Sequence, residues 1–382
     1  MTICFFSTQY LPTMGGVERY TYNLARQLVS LGHKVIVVTS ALPGLAAQQE
    51  QDGISIYRLP SWLAMNGRFP LVFPGFSTHR MVKEILEQKP GFCVIQARFY
   101  PLSLFAAHLC HKHHLPAILL DHSTGHMPMG DGLVGKVAHW YEHMAACYLK
   151  KCGLDFYGVS GDVCHWLSHF GIAAKGTLFN AVFPEEIQQQ AYSPTACNWR
   201  DKLGVAPNTK LVVFAGRLIA EKGVFLLADA FTQAAPQNAA LVIAGEGPLL
   251  NQIQQLNNPA IHCVGPLEHP KLLQLLAQAN LYCLPTYYAE GFPTTFLEAA
   301  ACDCPILTSC TGGSGELLPS SEYGIRLAQL DVPHLAQQLS WCLANEEWQH
   351  TAKTNTKHRL LEQFTWNRVA DTLLRLEHSY HE

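Results

Sequence analysis

A chain of 382 residues has room for two or three domains, each with its own core. Only 14% of residues are charged, against about 25% in ordinary soluble domains, and 48% are hydrophobic, which excludes a disordered chain. The net charge of −3 argues against a nucleic-acid binder. The charge is unevenly spread: residues 1–182 carry +4 (14 Lys/Arg against 10 Asp/Glu) and the remainder −7 (12 against 19). The first half therefore suits a negatively charged partner, a phosphate-bearing acceptor or an anionic membrane surface. Thirteen cysteines, an odd number without paired spacing, point to reduced thiols in a cytoplasm. The first apolar run lacks the basic lead-in of a secretory signal. No run of about 18 apolar residues is present to span a membrane.

Residues 3–7 read as a strand. A loop to Gly16 follows, then a helix in which Val17, Tyr20, Leu24, Leu28 and Leu31 recur at helical spacing before Gly32. With the strand at 34–39 this is a β–loop–α–β unit of the kind that builds parallel sheets. Gly15–Gly16 at the helix start allow close approach of a ligand or of another backbone, and a plain turn explains them equally well. The alternation continues with strands at 54–59, 92–95, 117–120 and 156–159. Helices are expected at 78–88, 102–114, 133–150 and 162–169. In such doubly wound domains ligands collect beyond the carboxyl ends of strands. Asp121, His122 and His126 stand there, and His122 reads as functional, with a local structural hydrogen bond as the alternative. Ser160 and Asp162 read as a helix N-cap. His139 and His143 share a helix face but lack a third metal ligand, and Cys302-x-Cys304 falls short of zinc-site spacing.

Residues 183–200 are polar and interrupted by proline, and read as a linker. A second β/α series follows, with strands at 211–215, 240–244, 261–264, 281–284 and 305–308 and helices at 224–233, 248–256 and 270–279. Helices at 334–344, 346–362 and 367–380 close the chain. Two Rossmann-like domains in tandem result: 1–182, then 201–364 after the linker, with a terminal helix in 365–382.

Chemistry concentrates in the second series. Its first strand runs into Gly216-Arg217-Leu218-Ile219-Ala220-Glu221-Lys222-Gly223, where Arg217 can fork onto phosphate oxygens and Lys222 can act as a point charge. A surface salt-bridge cluster is the plain alternative. Further on, residues 290–298, EGFPTTFLE, place Glu290 and Glu298 on either side of a helix start expected at Pro293. The free N–H groups of the first turn suit an anion. Carboxylates bracketing an anion site imply neutral hydroxyls on both sides, as in a ribose–diphosphate–sugar. Gly245–Pro248 reads as a turn, and Thr311–Glu316 as a turn or a source of further N–H groups.

In this order the pieces resemble the retaining glycosyltransferase family 4. EGFPTTFLE fits its E-x7-E motif, AGRLIAEKG its Arg/Lys motif, GGVERYTYNLARQLVSLGHKVIVVTS its N-terminal glycine loop, and FTWNRVADTLL its closing helix. The resemblance implies a GT-B fold, two Rossmann-like domains facing a central cleft, with the last helix returning toward the first domain. It implies a hexosyltransferase taking a UDP- or GDP-sugar to a glycan or lipid-linked acceptor, in surface polysaccharide or lipopolysaccharide synthesis; the alternatives are another GT-B enzyme, a phosphorylase or sugar-nucleotide epimerase, or a non-catalytic protein that binds sugar nucleotides or glycans. The place would be the cytoplasm, at the inner face of a membrane touched by the N-terminal domain. Carried over, Arg217 and Lys222 meet the diphosphate, Glu290 the sugar hydroxyls and Glu298 the ribose. Gly291, Phe292, Pro293, Thr294 and Thr295 face sugar and phosphate, Gly16 approaches the donor, and His122 lies beside the reacting carbon. No cofactor is implied. No Asp stands two residues from another, so the D-x-D metal clamp of the other common transferase fold is missing, and neutralisation by Arg217 and Lys222 fits a metal-independent reaction. Asn180-Ala181-Val182-Phe183 departs from the family's Asn-Gly-(Val/Ile)-Asp. Pro293, Thr294 and Thr295 also depart from its usual residues, which bears on the donor sugar.

Overall fold

The computed structural model describes residues 1–380 except Met14, Met65, Asn66, Arg68, Pro128 and Asp131. It divides into two compact units, one of Met1–Asn180 with Trp366–Glu382, the other of Ala181–Thr365.

In the first unit the strands are β1 (Thr2–Phe6), β2 (Lys34–Ser40), β3 (Gln48–Gln51), β4 (Ile54–Leu59), β5 (Ser61–Ala64), β6 (Phe69–Val72), β7 (Phe92–Gln96), β8 (Ala117–Asp121), β9 (Asp155–Gly158) and β10 (Gly176–Thr177). Between them run the helices α1 (Gly16–Ser30), α2 (Phe76–Glu87), α3 (Pro101–His113), α4 (Leu133–Lys151) and α5 (Gly161–Leu167). One sheet takes the order β10-β9-β8-β7-β1-β2-β4-β3, parallel except for the edge strand β3, and β5–β6 form a separate antiparallel hairpin. Its inner strands are apolar on both faces: Val35 to Val38 and Phe92 to Ile95 are wholly buried. That is the signature of a parallel sheet covered by helices on both sides. Ser160 caps α5 as expected, its Oγ accepting from the N–H of Val163 at 3.2 Å.

The second unit repeats the device. Its parallel strands are β11 (Lys210–Ala215), β12 (Ala239–Ala244), β13 (Ile261–Gly265), β14 (Leu281–Leu284), β15 (Ile306–Ser309) and β16 (Ile325–Leu327), in the order β13-β12-β11-β14-β15-β16. Its helices are α6 (Pro184–Ala191), α7 (Trp199–Leu203), α8 (Val224–Ala234), α9 (Leu250–Gln254), α10 (His269–Gln278), α11 (Thr294–Ala301), α12 (Ser314–Leu317), α13 (Val332–Ala344) and α14 (Glu346–Gln363). The last helix, α15 (Trp366–Ser379), belongs to the first unit, where Tyr380 donates to Asp155 at 2.6 Å.

Two expectations need correction. Residues 183–200 are not a bare linker: they form α6 and α7 and pack into the second unit. Trp199 is wholly buried, its N–H donates to Gln278 Oε1 at 2.9 Å, and Gln278 Nε2 donates to the Cys197 carbonyl at 2.7 Å. The segment reads as polar because its partners are glutamines of α10, not an apolar face. Nor is Pro293 the first helical residue. It caps α11 with an extended ψ of 120°, and the helix starts at Thr294.

Sheet order fixes where ligands can gather. In each unit the order reverses beside the first strand, between β1 and β7 and between β11 and β14. The crevice beyond the strand ends at such a switch point is where doubly wound folds hold ligands. Gly16 opens α1 at the end of the loop after β1, Gln96 ends β7 and Arg98 lies in the loop that follows it. The loops after β11 and β14 carry Arg217 and Lys222, and Glu290.

Candidate functional site

In the second unit the loop leaving β11 is tied to its neighbours by backbone bonds. Gly216 donates to the Ala244 carbonyl at 3.1 Å, Leu218 to Glu246 at 2.7 Å, and Tyr287 to Glu221 at 2.6 Å. Thr286 Oγ1 adds a bond to the same Glu221 carbonyl at 3.2 Å. A single 3₁₀ turn, Ala220–Lys222, ends at Gly223 in the left-handed region, φ 70°. A Cβ there would collide with the Pro285 carbonyl. Only glycine satisfies both demands. This turn aims Lys222 inward, 8% exposed, with Nζ on Glu290 Oε1. Both cations flank one aromatic ring: the Arg217 guanidinium lies 5.0 Å and Lys222 Nζ 5.5 Å from the Tyr288 centroid. Burial and the nearby Arg217 push the Lys222 ammonium down to about 8, while its contact with the Glu290 carboxylate favours the charged form.

Glu290 is positioned from below. Gly312, φ 51°, lets the loop after β15 press against it: a Cβ at Gly312 would sit 2.8 Å from Glu290 Cβ and 2.9 Å from its carbonyl oxygen. The glycine cluster at 311–316 is thus a packed floor. Gly291, Phe292 and Pro293 form the loop above, Phe292 lying 5.3 Å from Phe364 between ring centroids. On α11, Thr294 is partly exposed, and the buried Tyr282 hydroxyl donates to Thr295 Oγ1 at 2.9 Å. Glu298 is 4% exposed, and His269 Nε2 lies 2.9 Å from its Oε1. Beyond the ends of β11 and β12 is a cavity of about 230 Å³ lined by Ala215, Gly216, Arg217, Glu246, Leu267 and Thr295. At about 30 Å³ per water it has room for a group of nucleobase size.

Gly16 and His122 lie in the first unit. A Cβ at Gly16 would meet nothing within 4 Å, so no packing explains the glycine, whereas one at Gly15 would run into the Glu18 carboxylate. Four residues on, Tyr20 donates to the Leu178 carbonyl at 3.1 Å and meets both Trp366 and His122 edge-on, at 5.0 and 5.1 Å. His122 is also held by its N–H on Asp121 Oδ1 at 2.8 Å and by Nε2 on Gln96 Oε1 at 2.6 Å. Burial pushes its imidazole down to about 4 despite Asp121, so it is neutral at pH 7. A neutral, fixed imidazole offers a hydrogen bond, not a charge.

The residues that sequence reasoning missed lie behind His122. Arg98, wholly buried, binds Asp121 Oδ2 at 2.5 Å and Glu142 Oε2 at 2.9 Å; both carboxylates are buried too. Asp121 in turn caps the His122 loop. The signal was available, since Gln96 and Arg98 are polar residues at the end of an apolar strand at a switch point. Pairing of the β1 and β7 loops, however, depends on sheet order.

Two parallel-sheet units, each with its polar residues gathered at a switch point, make up the GT-B class of fold. A solved structure of Anabaena Alr3699/HepE in complex with UDP superposes with a TM-score of 0.77 over 99% of this chain and 100% of that one, at 16% identity. The model for glycosyl transferases group 1 matches residues 197–359, and that for glycosyltransferase family 4 matches residues 14–176. The chain is 34% identical to a glycogen synthase of Mycobacterium tuberculosis over 97% of its own length and 92% of the relative's. It is 25% identical to the phosphatidylinositol N-acetylglucosaminyltransferase gpi3 subunit of Schizosaccharomyces pombe, over 95% and 77%. The chain belongs to glycosyltransferase family 4, whose members use nucleotide-sugar donors.

Arg98→Met leaves two carboxylates buried without their cation. It is expected to cost about 3–5 kcal/mol of stability, as one-sided loss of a buried pair does. Denaturant unfolding of the variant checks this; a midpoint equal to that of the unaltered protein contradicts it.

Proposed function

We propose that this protein is a retaining glycosyltransferase. It moves a hexosyl group from a UDP- or GDP-sugar to a glycan or lipid-linked acceptor in surface polysaccharide or lipopolysaccharide synthesis, with no metal ion or other cofactor in the transfer. The observation that carries the reading is the convergence of Arg217, Lys222 and Glu290 at the β11/β14 switch point, beside a cavity of nucleobase size. The Anabaena protein bound to UDP supports a nucleoside diphosphate donor. Relatives named for glycogen and for phosphatidylinositol support acceptors of both classes.

In this reading the cations neutralise the diphosphate, Glu298 binds ribose and Glu290 the sugar hydroxyls. Residues Gly291 to Thr295 border sugar and phosphate. His122 keeps the role that the resemblance implies, beside the reacting carbon, and Gly16 keeps its approach to the donor. The anomeric C–O bond to phosphate breaks as the acceptor oxygen attacks the same face. The acceptor's proton goes to the leaving phosphate oxygen, and a nucleoside diphosphate departs. Positioning and charge stabilisation supply the catalysis. With Nε2 against Gln96 Oε1, neutral His122 orients hydroxyls without taking the proton.

A nucleotide-sugar screen by thermal shift tests this. The matching donor at 100 times its Kd should add about 2.7 kcal/mol of stability. Mass analysis and NMR should then find the nucleoside diphosphate free, the sugar on the acceptor and the anomeric configuration kept, at the same rate with Mg²⁺ and Mn²⁺ omitted. Stabilisation by no nucleotide sugar, or an inverted product, refutes the reading.

A membrane-bound acceptor is favoured by α4. Its inner face, Gly135, Ala138, Glu142, Ala145, Ala146 and Leu149, is buried, yet its outer face is apolar as well. Leu133, Val134, Val137, Trp140 and Met144 are all more than half exposed, Trp140 at 64%, with the exposed Lys136 and Lys151 beside them. Among the described residues no helix is long and apolar enough to cross a membrane. An outward apolar stripe with lysines suits the surface of an anionic bilayer. Wild type should co-sediment with phosphatidylglycerol vesicles, and Val137→Ser/Trp140→Ser should not. A wild type left in the supernatant sinks this part of the proposal.

A further inference from the structure

Histidines that are scattered in sequence meet in the first unit at a place the transfer reaction does not use. His126 is on the loop after β8, His143 on α4, and His169 in the 3₁₀ turn Ser168–Phe170 that follows α5. The ligating nitrogens of all three lie within 4.8 Å of one another. Read as sequence, the helical pair His139 and His143 had no third ligand. The fold supplies two more histidines, from two other segments.

Each ring is held. His169 stacks on the Trp166 indole at 4.8 Å with the planes 10° apart. His126 stacks on His139 at 4.0 Å, and its Nδ1 lies 3.3 Å from Glu142 Oε2. Glu142 is wholly buried, paired to Arg98 at 2.9 Å, and its Oε1 accepts the Met127 N–H at 2.8 Å. Glu142 thus stands within ion-pair reach of His126 Nδ1, where an outer-shell carboxylate would orient a metal-binding ring. The charge balance favours a cation as well. Arg98, Asp121 and Glu142 form a buried group with one positive and two negative members, so a net negative charge lies directly behind His126.

We propose that His126, His143 and His169 form a zinc site, with water completing the tetrahedron and Glu142 orienting His126. Imidazole donors suit Zn²⁺. With Zn–N bonds of about 2.0–2.1 Å, ligand nitrogens stand about 3.4 Å apart, so no pair need close by more than about 1.4 Å. The ion would staple the β8 loop, α4 and the turn after α5 together. Because His126 stands four residues after His122, it would fix the loop that presents His122. This role is structural and does not depend on which donor or acceptor the enzyme takes.

The test uses the full chain, stripped with chelator and titrated with Co²⁺ and then Zn²⁺. One equivalent of Co²⁺ should give the visible ligand-field absorption of a tetrahedral nitrogen/oxygen site without thiolate charge transfer, and Zn²⁺ should displace it. His143→Ala and His169→Ala change exposed side chains, so both should keep the melting temperature of the stripped protein. Each should lose at least tenfold in metal affinity and the metal-induced rise in melting temperature, while His113→Ala, at the end of α3, should lose neither. Absence of stoichiometric binding, a thiolate signature from the cysteines, or unaltered binding in His143→Ala and His169→Ala would each overturn the site.

Discussion

The contact between Lys222 and Glu290 is the constraint on which the second unit's site depends. A buried ammonium and a carboxylate must be delivered from two loops, and each loop is bent to do so. Gly223 turns through the left-handed region against the Pro285 carbonyl to present Lys222. Gly312 does the same from the opposite side to let the chain close beneath Glu290. The Tyr287 N–H on the Glu221 carbonyl locks these loops to each other, and the Leu218 N–H ties the first of them to Glu246 after β12. A side chain at either glycine would shift a charged group.

The first unit solves a related problem with buried charge. Arg98 compensates Asp121 and Glu142 where none of the three reaches water, a state that survives only while all are present. Asp121 fixes the start of the His122 loop and Glu142 its far side at Met127. Together with Tyr20 and Gln96 they hold His122 in place, and burial keeps it neutral against the pull of Asp121. The same carboxylates make the neighbourhood of His126 electronegative, which is why one loop can present a neutral histidine at one end and a cluster suited to zinc at the other.

Much of this was legible in the chain. Apolar runs without alternation marked buried parallel strands, and β4 and β14 fall on their expected residues, 54–59 and 281–284. The motif residues of the second unit are brought together by adjacent loops, because the strands bearing them are neighbours in the sheet. What escaped depended on tertiary pairing. Residues 183–200 looked like a linker because glutamine-to-backbone bonds leave no apolar periodicity. The hairpin β5–β6 is too short to announce itself. Arg98 gave no sign that it sits between two carboxylates 23 and 44 residues away. His169 likewise had no visible relation to His126 and His143. Pro293 was placed one residue too far inside its helix, since proline satisfies the φ demanded of a cap as well as that of a first turn.

The central claim, that Lys222 receives the diphosphate while Glu290 serves the sugar, is tested most directly by calorimetric titration of UDP or GDP, whichever the protein binds, into wild type, Lys222→Met and Glu290→Gln. Burial holds Lys222 near a pKa of about 8, so wild-type affinity should fall as pH rises through that value and the ammonium is lost. Lys222→Met should bind about tenfold or more weakly below it, as expected for a lost charged hydrogen bond, and without that pH dependence. Glu290→Gln, freed of the competing carboxylate, should bind the nucleotide at least as well as wild type yet fail to transfer sugar. Equal nucleotide affinity in wild type and Lys222→Met on both sides of pH 8 would contradict the account.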